Sequence, residues 1–267
     1  MNRVAERFFE EEKIEYYSAV RYSACKQIYP HQIMRRGIEP KSVIIFLLPY
    51  YTKDAKNLSL YSVSRDYHIA VKEITERLIG ALKNEYPQNS FFGFGDISPI
   101  DERHAAAIAG LGVIGDNRML INEKYGSYVF IAEVICDVDP EEIGASEPTE
   151  VGHCEGCGAC LNACPTKNLC GDGECLSAIT QRKGELSEEE ISLMKQTGTV
   201  WGCDVCQAVC PHNKNPRQTP IGFFHKGGID LLTSELVDSM DDASFSERAF
   251  SWRGRKTVKR NLDALKY

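Results

Sequence analysis

Residues 154–165 read CEGCGACLNACP, and residues 203–211 read CDVCQAVCP. The first stretch has the spacing Cys-x2-Cys-x2-Cys-x3-Cys-Pro, which is typical of bacterial proteins with two [4Fe–4S] clusters. The spacing is short because the iron atoms of one cluster lie close together, so a tight loop reaches several of them. Each stretch ends at a proline, which stops the loop from continuing as a helix. We therefore predict a ferredoxin-like region that binds two [4Fe–4S] clusters.

The cysteines divide into two ligand sets, because the fourth cysteine of such a run ligates the other cluster. We assign the first cluster to the set Cys154, Cys157, Cys160 and Cys210. The second cluster takes three cysteines, one of which crosses over from the first run: Cys203, Cys206 and Cys164. Its fourth ligand is either Cys175 or Cys170, which lie between the runs, and we favour Cys175.

Two other uses of these cysteines stay open. Structural zinc in two four-cysteine sites is one, although zinc ribbons rarely contain three-cysteine runs that end in Cys-Pro. A disulfide framework is the other, but it is typical of small secreted domains, and this N-terminus is charged and has no apolar signal region. Cys25 and Cys136 lie outside the runs, and we expect them to be buried free thiols.

The composition is that of an ordinary globular protein. The chain has 267 residues, is 43% hydrophobic and carries a net charge of −7, so no global basic field attracts nucleic acid. Its longest apolar stretch, residues 43–48, is too short to span a bilayer. We expect a cytoplasmic protein with no membrane partner, in a compartment that keeps thiolate ligands reduced.

The pattern of apolar residues predicts helices and strands ahead of the clusters. Strands are predicted at residues 43–48, 91–95 and 128–136, and helices at residues 1–20, 66–83 and 101–110. Ser187 and Glu190 have the spacing of a capping box, which predicts a helix up to about Gln196. We divide the chain into an α/β domain (residues 1–145), a double-cluster domain (146–225) and a basic helical tail (226–267).

The tail and one glycine-rich turn each have two interpretations. Residues 248–267 contain seven Lys or Arg and one acidic residue, which indicates a solvated helix face or, alternatively, a patch that contacts phosphate. Residues 110–115, GLGVIG, match the dinucleotide-binding pattern G-x-G-x-x-G. That motif follows a strand and opens a helix, whereas here a helix precedes it. We favour glycines that let the backbone approach a large flat ligand.

Several motifs ahead of the cysteines resemble the epoxyqueuosine reductase family. They are RDYH at residues 65–68, DISPIDER at 96–103, AGLGVIG at 109–115 and YGSYVFIAE at 125–133. The family has similar stretches, namely Asp-Ser/Thr…Pro…Glu-Arg, then AGLG-x-x-GK, then GS-x-x-x-x-GE. GCDVCQ at 202–207 and CPHN at 210–213 are similar to its closing motifs. The resemblance covers residues 40–262 in one order.

The resemblance implies a fold, a reaction and its cofactors. The implied fold is α+β, with a nitroreductase-like cobalamin-binding domain followed by the ferredoxin-like double [4Fe–4S] cluster domain. Members of the family are oxidoreductases that depend on cobalamin and reduce the epoxide of epoxyqueuosine in tRNA to queuosine. The implied partners are tRNA and an external electron donor such as a flavodoxin or ferredoxin. The bridging cysteine of the family matches Cys175.

The resemblance also implies the site residues. The general acid proposed for the family matches Asp96, and we expect apolar neighbours such as Phe94 and Ile97 to desolvate its carboxyl. The alternative is that Asp96 only caps a turn before Pro99. The residues carried over as cofactor contacts are Arg65, Asp66, Tyr67, His68, Tyr125, Gly126, Ser127 and Ser177.

Three departures from the family pattern put the substrate in doubt. Asp116 stands where the family has Lys, and Gln181-Arg182 follows the bridging cysteine in place of the usual ending. Relatives often continue into a helical-repeat module that grips tRNA, so we expect a short form in which the basic tail takes part of that role. One alternative is the same chemistry on another small molecule, as in cobalamin-dependent reductive dehalogenases. The other is a non-catalytic electron carrier, against which the long segment ahead of the clusters argues.

Overall fold

The computed structural model describes residues 1–267 and divides into two compact units. Unit 1 comprises residues 1–49 and 68–156, and unit 2 comprises residues 50–67 and 157–267. These limits differ from the three predicted segments, because residues 50–67 join the later part of the chain and residues 226–267 are not separate from it. No helix has both the length and the apolar character needed to cross a membrane.

Unit 1 contains a four-stranded antiparallel sheet. Its strands are β1 (Tyr17–Arg21), β2 (Ser42–Pro49), β3 (Phe91–Phe94) and β6 (Val129–Cys136), in the order β1-β2-β6-β3. A separate hairpin pairs β4 (Val113–Ile114) with β5 (Leu120–Ile121). The three predicted strands are confirmed, and the apolar runs at β2 and β6 pair in the middle of the sheet, where nearly every residue is buried.

Five helices accompany this sheet: α1 (Arg3–Glu11), α2 (His31–Met34), α3 (Tyr67–Glu85), α4 (Glu102–Ile108) and α5 (Pro140–Ile143). The helix predicted over residues 1–20 is correct only in its first half, because residues 17–21 pair with β2 as an edge strand. The helices predicted at residues 66–83 and 101–110 are confirmed. Asp101 caps α4 through its side chain, which accepts from the His104 N–H.

The long helix α3 packs closely on β3. Its buried positions are spaced three and four apart and form one apolar stripe: Val71, Ile74, Leu78 and Leu82. Gly93 in β3 allows the approach, because a Cβ atom there would lie 2.5 Å from the Thr75 Oγ1. This packing fixes the strand that leads directly into residues 95–100.

Unit 2 is helical. Its helices are α6 (Ala159–Ala163), α7 (Leu176–Gln181), α8 (Glu188–Thr197), α9 (Val205–Ala208), α10 (Ser234–Ser239), α11 (Asp242–Ser246) and α12 (Arg255–Leu265). The predicted capping box is confirmed, since Ser187 and Glu190 exchange both hydrogen bonds at the start of α8. Trp201 is fully buried and meets Phe250 edge-on at 6.3 Å.

Residues 50–67 are tied into the helices of unit 2. The buried Asn57 side chain donates to the Leu232 carbonyl at 2.8 Å and accepts from the Leu232 N–H at 2.9 Å. Ser59 N–H donates to the Trp201 carbonyl at 2.8 Å. These bonds join positions more than a hundred residues apart, which explains why local sequence signals did not reveal the grouping.

The basic tail is not simply a solvated face. Arg248 is buried and donates to the carbonyls of Gly227 and Val63 at 2.7 and 2.8 Å. Arg260 donates to carbonyls in the loop after α7, including that of Gly184 at 2.5 Å. The prediction is therefore wrong for these arginines, which bind backbone oxygens within unit 2 and stabilise its loops.

Candidate active site

Asp96 occupies a tight turn directly after β3. Its backbone has φ +67°, in the left-handed region that residues other than glycine rarely adopt. The turn is closed by the Ile97 N–H, which donates to the Gly95 carbonyl at 2.8 Å, the bond of a three-residue γ-turn. Strained backbone of this kind is found most often at functional sites, which supports the predicted role of Asp96, and that role stays a prediction.

His68 lies beside Asp96 in unit 1. Its Nε2 lies 3.5 Å from the Asp96 Oδ2, and the two side chains are 52% and 54% exposed. The prediction that apolar neighbours desolvate Asp96 is wrong, because the turn directs its carboxyl outward. The two polar groups stand beside Ile97, which is 63% exposed. The role of His68 and Asp96 beside a bound corrin stays a prediction.

Two carboxyl groups with raised pKa values lie near Asp96, of which Glu102 is half-buried and Glu133 is fully buried. Glu102 Oε2 accepts from the Asp96 N–H at 3.1 Å, and burial raises the pKa of Glu102 to about 7. Glu133, on β6, is fully buried and accepts from the Ser98 hydroxyl at 2.5 Å. Burial raises the pKa of Glu133 to about 8, although the Ser98 hydroxyl lowers it. Sequence reasoning did not assign either group to the site.

The predicted contacts Arg65, Asp66 and Tyr67 stand just before His68. In unit 2 the Arg65 guanidinium meets the Glu247 carboxylate with both contacts at 3.0 Å. Asp66 N–H donates to the Glu247 carbonyl at 2.7 Å. These bonds hold the start of α3, on whose first turn Tyr67 and His68 lie. The role of these residues as cofactor contacts stays a prediction.

The predicted contacts at residues 125–127 are buried in unit 1. The Tyr125 hydroxyl donates to Glu15 at 2.6 Å, and Ser127 is fully buried. Gly126 has φ +58° and exchanges backbone hydrogen bonds with Asn122 at 2.9 Å. These contacts stabilise the turn that leads into β6, and a cofactor contact there stays a prediction.

Ser177 lies in the first turn of α7 in unit 2. Its hydroxyl accepts from the Gln181 Nε2 at 2.9 Å, and Arg182 forms ion pairs with Glu174 at 2.7 Å and Glu190 at 2.5 Å. The charge introduced by the Gln181-Arg182 departure is therefore balanced within the chain. Its effect on substrate choice stays a hypothesis.

The cysteines assigned to the second cluster lie near one another in unit 2. The pKa of Cys203 is raised to about 11, mainly by burial and in smaller part by Cys175, Asp204 and Cys164. Burial likewise raises the pKa of Cys206 to about 12, with additional contributions from Cys203 and Cys175. Cys164 is buried, Cys203 and Cys206 are half-buried and Cys175 is exposed. Neighbouring thiolates that repel one another are stable when iron neutralises their charge. This donor set fits a [4Fe–4S] cluster.

The surroundings of Cys164 favour its thiolate form. Burial alone would raise its pKa, but the N–H groups of Leu169, Thr166 and Asn168 and the Thr166 hydroxyl hold the pKa below the ordinary thiol value. Hydrogen bonds to cluster sulfur atoms also tune the reduction potential. Cys170, in contrast, is exposed, and its sulfur lies 4.0 Å from the Leu161 carbonyl. Cys175 is exposed as well, but its thiol is near enough to raise the pKa of Cys203 and of Cys206. This supports Cys175 as the fourth ligand, and the assignment stays a prediction.

Cys154, assigned to the first cluster, is held by the hairpin of unit 1. Cys154 N–H donates to the Ile114 carbonyl at 3.1 Å, and its sulfur accepts from the Asp116 N–H at 3.3 Å. The departure at Asp116 therefore lies next to a predicted iron ligand, where its backbone can tune the cluster. No three His, Cys, Asp or Glu side chains are grouped closely enough to hold a single metal ion.

Two other predictions from the sequence have direct outcomes. Cys25 and Cys136 are buried free thiols, as expected, and burial raises the pKa of each to about 12. The GLGVIG stretch follows α4 and contains β4, whereas a dinucleotide-binding loop follows a strand and opens a helix. Gly112 is required by packing, since a Cβ there would lie 2.5 Å from the Ile121 carbonyl oxygen.

Comparison with known proteins agrees with this arrangement. Residues 153–213 match the model of a 4Fe-4S double cluster binding domain. An epoxyqueuosine reductase from Cellulophaga algicola is 32% identical over 244 residues, which cover 85% of this chain and 78% of the relative. The chain belongs to the epoxyqueuosine reductase family. Members of this family are oxidoreductases with a double-cluster domain, and they depend on two [4Fe–4S] clusters and cobalamin.

Other members differ in how much of their length is matched. An epoxyqueuosine reductase from Lactococcus garvieae is 33% identical over 215 residues, which cover 75% of this chain but 58% of the relative. A crystal structure of an epoxyqueuosine reductase with an epoxyqueuosine-modified tRNA stem loop has a TM-score of 0.74 at 23% identity. It covers 98% of this chain and 80% of that chain. This likeness establishes the mixed α/β fold of the family.

Proposed function

We propose that this protein reduces the epoxide of epoxyqueuosine in tRNA to give queuosine, with two [4Fe–4S] clusters and cobalamin as cofactors. One observation carries the proposal: this member of the family has both neighbouring cysteines and a His68–Asp96 pair. His68 and Asp96 each lie in a stretch that resembles a family motif. The site works in the reducing cytoplasm, where thiolate ligands persist.

The reaction sets clear requirements for the site. Two C–O bonds of the epoxide break, one C=C bond forms, and the oxygen leaves as water after the uptake of two electrons and two protons. When bound, the clusters and cobalamin supply the electrons one at a time from an external flavodoxin or ferredoxin. The chain itself must deliver protons to the departing oxygen and hold the ring in place.

Asp96 is suited to proton delivery. Its carboxyl stands on an exposed turn, within 3.5 Å of the His68 Nε2. A general acid contributes about 10²–10⁴-fold to rate when it is positioned on the leaving atom. We assign Asp96 to protonation of the epoxide oxygen and His68 to holding the Asp96 carboxyl and returning its proton.

A basic groove in unit 1 supports an RNA substrate. The groove has a volume of about 290 Å³ and is lined by the basic residues Lys26, Arg103 and Arg118 and by Asp101, His104, Ile114 and Val151. Asp101 pairs with Lys26 at 3.8 Å and with Arg103 at 3.7 Å, so Arg118 is the basic lining residue that Asp101 does not pair. Basic side chains of this kind neutralise backbone phosphates and give most of the affinity for nucleic acid. Its presence in a chain of net charge −7 argues for a local rather than a global attraction to tRNA.

Two experiments test the proposal. Anaerobic reconstitution with iron and sulfide, followed by cobalamin and desalting, is expected to give about eight irons per chain and retained corrin. Expression of the chain in a strain that lacks its own reductase is expected to restore queuosine in tRNA. Retained cofactors with no restored queuosine would favour the second candidate, a reductase of another small molecule, for which the Asp116 and Gln181-Arg182 departures speak.

A further inference from the structure

The turn that carries Asp96 is held from inside unit 1 by two carboxyl groups. At its start, Glu102 Oε2 accepts from the Asp96 N–H at 3.1 Å. Two residues later, the Ser98 hydroxyl donates to Glu133 at 2.5 Å and accepts from the Ile100 N–H at 3.3 Å. Glu102 comes from α4 and Glu133 from β6, so the turn is fixed to two elements that are themselves packed.

We propose that Glu102 is a positioning residue for the reaction, because it holds Asp96 in the strained turn through the backbone amide. The inference rests on the proposed function of Asp96 and deepens it. Glu102 does not reach the substrate in this role and acts through Asp96. Glu133 anchors the next residues of the turn through Ser98 and keeps the whole segment in register with β6.

The backbone conformation of Asp96 explains why a hydrogen bond from Glu102 is needed to hold it. A residue with a side chain at φ +67° is strained, and a γ-turn closed by one hydrogen bond does not secure it. The bond from the Asp96 N–H to Glu102 is charge-assisted when Glu102 is ionised, which makes it stronger than a bond to a neutral acceptor. Without it, Asp96 is free to relax toward negative φ and to turn its carboxyl away.

Burial and five neighbouring groups set the charge of Glu102. Burial raises its pKa to about 7, the Asp96 N–H and Arg103 lower it, and the carboxylates of Asp96 and Asp101 raise it. Glu133, which packs from β6, is coupled to it as well. A group with this pKa changes charge around neutral pH. The hydrogen bond from the Asp96 N–H to Glu102 therefore strengthens as pH rises through about 7.

Substitutions at Glu102 separate positioning from packing. In Glu102→Ala the acceptor is lost, whereas in Glu102→Gln the amide oxygen still accepts from the Asp96 N–H but no longer titrates. Glu76→Ala, at an exposed position on α3, is the matched control. Iron content and circular dichroism of each cluster-loaded protein establish that the variant is folded.

Hydrogen exchange of the Asp96 amide is the direct readout, and it does not depend on turnover. We expect Glu102→Ala to exchange about tenfold faster than the unsubstituted protein, and Glu102→Gln to stay within about threefold of it at neutral pH. The unsubstituted protein gains protection between pH 6 and pH 8 after correction for intrinsic exchange, whereas Glu102→Gln does not. Equal exchange in all three proteins, or equally fast exchange in both variants, would overturn the proposal.

Kinetics with epoxyqueuosine-containing tRNA supply the second readout. We expect Glu102→Ala to lower kcat about 10–100-fold with KM within about threefold, because a misplaced acid impairs the chemical step. Glu102→Gln should restore most of kcat at neutral pH. An unchanged kcat in Glu102→Ala would refute the positioning role. If the unsubstituted protein does not turn over this substrate, the proposed function fails, while the exchange data still decide whether Glu102 holds the turn.

Discussion

Replacing Glu133 with glutamine is expected to stabilise unit 1 in a pH-dependent way. Glu133 is fully buried on β6, where burial raises its pKa from 4.5 to about 8 and the carboxylates of Glu102 and Asp101 add to the rise. Its Oε1 has no hydrogen-bond partner. Ionisation is therefore costly in the folded protein and easy in the unfolded chain.

The sign and the size follow from proton linkage. Between pH 4.5 and about 8 the unfolded chain loses the Glu133 proton while the folded protein keeps it, so the free energy of unfolding falls as pH rises. The slope is about 1.36 kcal/mol per pH unit for one group. From pH 5.5 to 7.5 the unsubstituted protein should lose about 2.5 kcal/mol through Glu133 alone, and Glu133→Gln should not show this loss.

Native-state hydrogen exchange of the β6 amides measures this free energy in the cluster-loaded protein. At each pH, the free energy of unfolding of the unsubstituted protein is subtracted from that of Glu133→Gln. The readout is how this difference changes with pH, because a constant cost of burying the amide does not affect the change. Glu141→Gln, at an exposed position on α5, is the control and should give a constant difference. The reasoning would be refuted if the difference in free energy of unfolding between Glu133→Gln and the unsubstituted protein stays constant within about 0.5 kcal/mol from pH 5.5 to 7.5.

Three further predictions follow from the same geometry. Asp96→Asn should lower kcat by about 10²–10⁴-fold because it removes the acid proton, with iron and corrin content unchanged; activity within threefold of the unsubstituted protein would exclude Asp96 as the acid. Cys175→Ala should reduce iron from about eight to about four per chain, whereas the control Cys170→Ala should leave iron unchanged, and the reverse result would exchange their assignments. Asn57→Ala should lower the free energy of unfolding of unit 2 by about 2–4 kcal/mol, because it leaves the buried N–H and carbonyl of Leu232 unpaired; a loss below about 0.5 kcal/mol in denaturant titration would contradict this.

Local patterns in the sequence were sufficient to predict many of the helices and strands. The capping box at Ser187 and Glu190 was predicted because both of its hydrogen bonds lie within four residues. The apolar runs of β2 and β6 and the stripe on α3 were readable for the same reason. Residues 17–21 were misassigned as helix, because their strand conformation depends on pairing with β2 rather than on their own pattern.

The grouping of residues 50–67 with the later helices was not predictable from local pattern. It depends on bonds such as those between Asn57 and Leu232, which are far apart in the chain. The arginines of the basic tail were misread for a similar reason. A charge run indicates solvent exposure by default, but Arg248 finds backbone carbonyls that only the folded unit brings within reach.

The candidate site was predicted in part. Cysteine spacing and the family motifs indicated the ligand sets and Asp96, but the expected apolar environment belongs to Glu102 and Glu133 instead. One signal for Glu133 was present, namely a single acidic residue within the apolar run of residues 128–136. A charge in a strand buried on both faces must be paired or neutral, which marks such a position for attention.

The most direct test of the account is a single-turnover assay with the reconstituted, cobalamin-loaded protein and tRNA that carries epoxyqueuosine. Reduced flavodoxin supplies the electrons, and mass spectrometry of the released nucleosides follows the modified base. The account predicts the loss of one oxygen atom from epoxyqueuosine and the appearance of queuosine in the unsubstituted protein but not in Asp96→Asn. Unchanged epoxyqueuosine in the presence of about eight irons per chain and bound cobalamin would contradict it.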